Sequence, residues 1–187
     1  MSSRSLLAAG LLAVTAALPA SAQRLVPAQS EVTFTSRQMG VPVDGTFRRF
    51  DAQVSFDPKR PEAGRVAITI DTGSASFNAP ETDAEMPKAA WFDVAKFPQA
   101  RFESSAIKGL GGSRYEVAGK LTMKGHARDI VVPVMLAAAG PNTLASGSFT
   151  LKRLDFKIGE GEWSDTSLVA NDVQVRFKLA LADLPSP

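Results

Sequence analysis

The chain of 187 residues has no cysteine, one histidine and one tyrosine. Without cysteine there is no disulfide framework, no thiolate nucleophile and no lipid attached through a thiol. A single histidine with no cysteine cannot supply the three or four ligands of an ordinary zinc site, so no metal and no cofactor are expected. No G-x-S-x-G motif accompanies the serines, so the usual nucleophile elbow is missing. Charge of one sign is also lacking. Lys and Arg number 21 against 19 Asp and Glu. The basic residues are scattered, with runs no longer than pairs such as Arg48-Arg49. A nucleic-acid stripe is therefore not expected.

Long apolar runs are absent too, with one exception. In "MSSRSLLAAGLLAVTAALPASA" (1–22), Arg4 precedes an apolar stretch from Leu6 to Leu18, and Ala20-Ser21-Ala22 offers a small-x-small cleavage site. This layout predicts an export signal, too short to span a membrane. Cleavage after Ala22 leaves a single soluble domain, residues 23–187, in the periplasm or outside the cell. A domain of that size can bury a core without staples.

What is present is alternation. "EVTFTS", "DAQVSF", "RVAITID", "YEVAGKLTM", "DIVVPVML" and "DVQVRFKLAL" place apolar residues at alternate positions, and "SFTLKRLDF" starts the same way with Phe149 and Leu151. One oily face and one mixed face per run is the signature of antiparallel strands with one side wet. The loops "DPKRPEAG" (57–64), "KGLGGS" (108–113) and "AAAGPNT" (137–143) separate them. The G-L-G-G of the second is followed by a strand rather than a helix, which argues against a phosphate loop.

One stretch, "NAPETDAEMPKAAWFDVAKFP" (78–98), does not alternate. Thr82 and Glu85 have capping-box spacing, which predicts a short helical excursion near 79–95, limited by Pro87. Glu81, Asp83 and Glu85 are spaced like the front of a calcium loop, but Met86 and Phe92 stand where its glycine and final acid belong. These elements amount to about eight strands of an all-β domain. Periodicity alone leaves sandwich and closed barrel open.

His126 lies in "LTMKGHARDIVVPV", between two alternating runs and next to Gly125. It is expected at an exposed hairpin tip as a plain turn residue. Glu160, Glu162 and Asp165 cluster in "GEGEWSD" around Gly161, and read as loop charges rather than a glycosidase pair. No enzymatic activity is expected. Aromatic residues are the positive signal, spread over nearly every element. A small barrel either fills its interior or holds one ligand. Small inward residues such as Gly119 are expected to leave room, and Trp91-Phe92 to close one end.

Four stretches carry a resemblance. "LVPAQSEVTFTSRQMGVPVDGTFRRFDAQVSFDP", "WFDVAKFPQARFES", "VAGKLTMKGHARDIVVPV" and "NDVQVRFKLAL" occur in that order over almost all of residues 23–187. Together they resemble the YceI-like, polyisoprenoid-binding family. The resemblance implies an extended lipocalin-like antiparallel β-barrel, exported by bacteria. It further implies a long isoprenoid amphiphile in the barrel, such as a polyprenyl phosphate or a prenylated quinone, or else a fatty-acid derivative. Phe34, Phe47, Phe56, Trp91, Phe92 and Phe102 are the candidate ligand-binding residues. A second copy of the chain, and a membrane protein that donates or accepts the lipid, are the partners left open. Rival readings are a scavenger of exogenous hydrophobic compounds or stress-related lipids, and a filled-barrel accessory to a membrane electron-transfer system. Two departures stand out: Gln29-Ser30 replaces a frequent His-Ser, and "DAEMPKAA" (83–90) replaces "D-x-H-L-R-S". If those positions hold a head group in relatives, this chain is expected to prefer a less charged lipid.

Overall fold

A computed structural model describes residues 22–184. The expected export signal, 1–22, lies outside the described residues except for Ala22. Among the described residues there are eleven strands: β1 (Gln23–Leu25), β2 (Glu31–Gln38), β3 (Val41–Phe47), β4 (Phe50–Ser55), β5 (Arg65–Asp71), β6 (Ala75–Ser76), β7 (Gln99–Gly111), β8 (Arg114–Met123), β9 (His126–Ala139), β10 (Asn142–Lys152) and β11 (Asp172–Ala182). Every pairing among them is antiparallel.

The sheet closes because β1 pairs with both β11 and β4. The turn Pro27–Gln29 splits β1 from β2, yet β2 continues along β11 and β3. β1 with β2 thus forms one interrupted barrel strand, and β3 with β4 forms another, broken at Arg48-Arg49. With β5, β7, β8, β9, β10 and β11 this makes an eight-stranded closed barrel. Closure removes the exposed edges that a sandwich would leave.

Each strand buries the row that its alternation marks. On β8, Tyr115, Val117, Gly119, Leu121 and Met123 point inward while Arg114 and Lys120 are exposed. Two strands escape simple periodicity. β3 carries Gly45 on its inward row, where no apolar side chain announces a face. β7 has a bulge between Ser104 and Ala106 that shifts its register against β8, and one extra residue breaks a period of two.

Short turns at 112–113 and 140–141 and the 56–64 connection gather at one end of the barrel. At the other end lie the tight hairpins at 39–40 and 124–125 and two long connections, 72–98 and 153–171, which fold over the opening as a cap. The helix α1 (Pro80–Glu85) is six residues long. It starts earlier than the capping-box spacing implied. Pro80 occupies the first turn, Ala79 is the N-cap with no side-chain hydrogen bond, and Thr82 lies inside the helix. Proline is suited to that opening position because its missing N–H has no helical partner there. Asp83 ties α1 to β6 within the first of these connections. Its carboxylate accepts from Ser76 Oγ at 2.7 Å and Phe77 N at 2.6 Å. The Phe77 backbone bond, and then Ser76, hold the Asp83 pKa below its ordinary value of 3.8.

The second connection is organised by Arg153, which is 2% exposed. Nε donates to Ala170 O, Nη1 to Ile158 O and Gly159 O, and Nη2 to Trp163 O and Val169 O, all between 2.6 and 3.0 Å. All five guanidinium N–H groups are satisfied, entirely by backbone carbonyls. Lys124 does the same across the cap. Its Nζ donates to Ala89 O, Lys157 O and Glu160 Oε2 at 2.7, 2.7 and 2.8 Å.

Candidate functional site

The inward rows do not meet in the middle. They surround a cavity of about 240 Å³. A single buried water needs only about 10–15 Å³ on a comparable measure, and close-packed interiors rarely hold a void much larger. Its wall draws side chains from β2, β3, β4, β5, β7, β8, β9, β10 and β11 and from the cap, nearly all aliphatic or aromatic. Several inward residues, such as Ile68, Phe47, Phe102, Val175 and Phe177, are only half-buried although they pack against the core.

All six aromatic candidates line this cavity. Phe34, Phe47 and Phe92 form a chain, with centroids 5.1 Å apart for Phe34–Phe47 and 5.9 Å for Phe47–Phe92. Phe77 continues it, meeting Phe34 edge-on at 5.2 Å. These tilted and edge-on contacts match the ring quadrupoles better than face-to-face stacking. Phe56 sits with Tyr115 in the other core cluster, edge-on at 5.1 Å. Trp91 and Phe92 are buried in the cap cluster with Met86 and Phe156.

Two findings differ from the sequence expectation. First, the space opposite Gly119 is taken by Phe102. A methyl on Gly119 would stand 2.6 Å from Phe102 Cζ and closer still to Glu103 O. The same device recurs at Gly45 beneath Phe34 and at Gly147 beneath Phe177. These glycines seat aromatic rings flat against the sheet and do not themselves make room for a ligand. Second, His126 is not at the hairpin tip. The two turn residues are Lys124 and Gly125, with φ of 46° and 76°. His126 opens β9 opposite Met123 and is half-buried. The other turn residue, Lys124, is buried for the reason given above.

Residues that pattern reasoning missed are the polar ones on the cavity wall. These are Ser36, Arg101, Tyr115 and Arg153. Arg101 is exposed, in the outward row between Ala100 and Phe102. Ser36 continues the inward row of Val32 and Phe34, and only its position in that row could have revealed it. Trp91 Nε1 is sealed from solvent with no hydrogen-bond partner among the described residues. In the acidic cluster, Lys124 lowers the Glu160 pKa and Ser167 lowers that of Asp165, so both serve loop structure. Gln29, at a position of departure from the family pattern, accepts from Asn142 Nδ2 at 3.0 Å. Ser30 Oγ donates to Val26 O at 2.8 Å and accepts from Ala180 N at 2.9 Å. Both tie the Pro27–Gln29 turn to neighbouring strands, Gln29 to β10 and Ser30 to β11.

Comparison with known proteins gives a consistent picture. The family model described as a YceI-like domain matches residues 24–181. A UPF0312 protein of Ectopseudomonas mendocina is 33% identical over 120 residues, covering 61% of this chain and 63% of that protein. The match thus spans just under two thirds of that relative's length. The crystal structure of Burkholderia cenocepacia BcnA superposes with a TM-score of 0.81 at 42% identity, covering 83% of this chain and 98% of that one. A Saccharophagus degradans structure, described as a polyisoprenoid binding domain implicated in plant cell wall breakdown, has a TM-score of 0.70. It covers 88% of this chain and 98% of its own, and at 17% identity it speaks for the fold alone.

Proposed function

This chain belongs to the YceI-like domain family, and from that premise we propose that it holds and carries a long isoprenoid amphiphile in its barrel. One observation carries the reading: a cavity of about 240 Å³ walled by apolar side chains from nearly every strand. A folded chain does not leave that volume unfilled without cost, because each wall atom forgoes contacts it would make in a packed core. A prenyl tail restores those contacts and leaves water at the same time, contributing roughly 0.8 kcal/mol per buried methylene before ordering costs. The polyisoprenoid named for the Saccharophagus domain is a ligand of this chemistry, and the fold is shared.

The protein acts by binding, not by catalysis. The polar residues on the cavity wall form no acid–base or nucleophile–base pair, since Arg153 is fully engaged with carbonyls. Its place of work is the periplasm, reached through the signal layout of residues 1–22. Prenylated quinones and polyprenyl phosphates are both candidates by tail chemistry. The test is a thermal-shift titration of delipidated protein with octaprenyl phosphate, a long-tail ubiquinone and a fatty-acid amide. A carrier is stabilised by about 2.7 kcal/mol at a hundred times the dissociation constant. If no ligand raises Tm, the carrier reading fails.

A further inference from the structure

The barrel closes by strand order, but one seam of its wall is only half zipped. β9 and β10 pair from Asn142–Ala139 to Gly147–Val134 and no further. Beyond that point both strands run on, β9 back to His126 and β10 forward to Lys152, each still paired with its other neighbour, β8 or β11. Pro133 marks the parting. A methyl on Gly147 would lie 2.2 Å from the Pro133 carbonyl oxygen, so Pro133 turns that side of its backbone toward β10. Proline has no N–H there to carry the ladder onward. The result is a wedge between 126–133 and 148–152. Ile130 and Val132 on one side and Phe149 and Leu151 on the other line the cavity. Across the wedge the cavity is therefore closed by side chains, not by strand pairing. Phe156, 2% exposed, fills the wide end, with Arg128 over its ring at 5.9 Å. The outer side is bare: Val131 is 58% exposed, and Ser148 and Thr150 are exposed too. β7 also outruns its partner β5, but there the 56–64 connection covers the free edge and seats Gly64 against Phe56 and Ile107.

We propose that this wedge is a lateral portal, through which the prenyl tail enters and leaves the cavity. The inference rests on the lipid-carrier reading and adds a route to it. Parting two strands elsewhere in the barrel breaks a run of ladder hydrogen bonds together. Parting the wedge breaks dispersion contacts alone, each of them small, and the passing tail replaces them as it goes. The cap is the harder way in. Arg153 holds five backbone carbonyls, and Lys124 holds two more and the Glu160 carboxylate. Lifting the cap strands those buried charges without partners. The outer approach to the wedge also suits an apolar chain. The outward row of β9 is Ala127, Asp129, Val131, Pro133 and Met135, all exposed. Its one charge, Asp129, accepts from Lys120 Nζ at 2.7 Å. The facing row of β10 presents the hydroxyls of Ser148 and Thr150. An open groove on this outer face, walled by Pro133, Met135, Ser146 and Ser148, reaches the branch point at Gly147–Val134.

The experiment ties the wedge shut from outside. The chain has no cysteine, so introduced pairs react alone. Val131→Cys with Thr150→Cys places one thiol on each side of the wedge, at positions that would face each other had the pairing run on. Met135→Cys with Ser146→Cys is the control, on the same two strands inside the zipped stretch. Each pair is joined in the folded, delipidated protein by a short bis-methanethiosulfonate linker, which dithiothreitol removes. The probe is a long-tail ubiquinone. Its uptake is followed by stopped-flow quenching of tryptophan fluorescence, and its release by transfer to phosphatidylcholine vesicles. A blocked route slows both directions alike and leaves the equilibrium in place. The linked wedge pair should therefore take up and release the probe at least about tenfold more slowly, with affinity within about twofold of the unlinked protein. Dithiothreitol should restore both rates, and the linked control should exchange like wild type. Normal binding with unslowed exchange in the linked wedge pair would overturn the portal and send the tail through an end of the barrel. Equal slowing in the control pair would overturn it as well, as a general stiffening of the sheet. If the unlinked protein binds no probe at all, the carrier reading has failed and the portal falls with it.

Discussion

Gly45→Ala separates the two purposes of the barrel interior, packing and vacancy. A methyl at this position would stand 2.6 Å from Phe34 Cε2, with Cζ nearer still, whereas ordinary contact begins near 3.4 Å. The obstacle is the far end of a side chain. The ring must therefore shift by about 1 Å, and the open direction is the cavity that Phe34 lines. Overpacking of this kind costs about 1–3 kcal/mol. Stiffening the unfolded chain by Gly→Ala returns about 0.4–1 kcal/mol. The net loss should be about 0.5–2 kcal/mol, read from urea unfolding of the empty protein, together with a severalfold weaker grip on a prenyl tail. Gly147→Ala is the control. There a methyl runs into the Pro133 carbonyl oxygen on the neighbouring strand as well as Phe177. Backbone cannot swing aside, so stability should fall further, by about 3 kcal/mol or more. If Gly45→Ala leaves both stability and tail affinity at wild-type values, or if Gly147→Ala is the milder of the two, the account of ring-over-glycine packing is wrong.

Replacing Arg153 with lysine or methionine should cost about 3–5 kcal/mol in urea unfolding, since it strips donors from buried carbonyls that have no water to turn to. His126→Ala should change stability by less than about 0.5–1 kcal/mol and leave lipid affinity untouched, because the histidine only opens β9. Asp83 has a folded pKa below its ordinary 3.8. The stability it contributes is therefore present above that value and lost as pH falls through the lower folded pKa. Scanning calorimetry between pH 2 and 5 should show a shallower acid decline of Tm for Asp83→Asn than for wild type, and a lower Tm for the variant at neutral pH. Tail binding should respond weakly to sodium chloride, because burial rather than ion pairing drives it; isothermal titration at low and high salt checks this.

Periodicity made most of the barrel legible. β2, β8 and β11 announce their inward rows in clean alternation. Of the six aromatic candidates only Phe34 lies on one of those rows; Phe47, Phe56 and Phe102 come from other runs that resemble the family's barrel strands, and Trp91 and Phe92 from the excursion expected to close one end. β3 and β7 were legible only through the family resemblance. A glycine on one inward row and a bulge in the other erase the two-residue period. Closure of the sheet was not readable from pattern either. It depends on three residues, Gln23–Leu25, pairing with both β4 and β11, and no local signal marks a strand that short. The anchoring of the cap was not legible, because its contacts are long-range. Lys124 reads as a solvated turn residue until Ala89, Lys157 and Glu160, all more than thirty residues away in sequence, converge on it. Gly119 reads as a vacancy until the neighbouring strand lays Phe102 across it.

The central claim, that this barrel is loaded with an isoprenoid lipid, is tested most directly by what the protein holds when it is taken from its own host. The protein should be purified from its native host without detergent and examined by native mass spectrometry, with organic extracts analysed in parallel. The account predicts a discrete adduct of one lipid per chain, released on denaturation and identified as a prenylated molecule. A protein recovered at its bare mass, with no lipid in the extract, and still unresponsive when offered prenyl lipids, would contradict it.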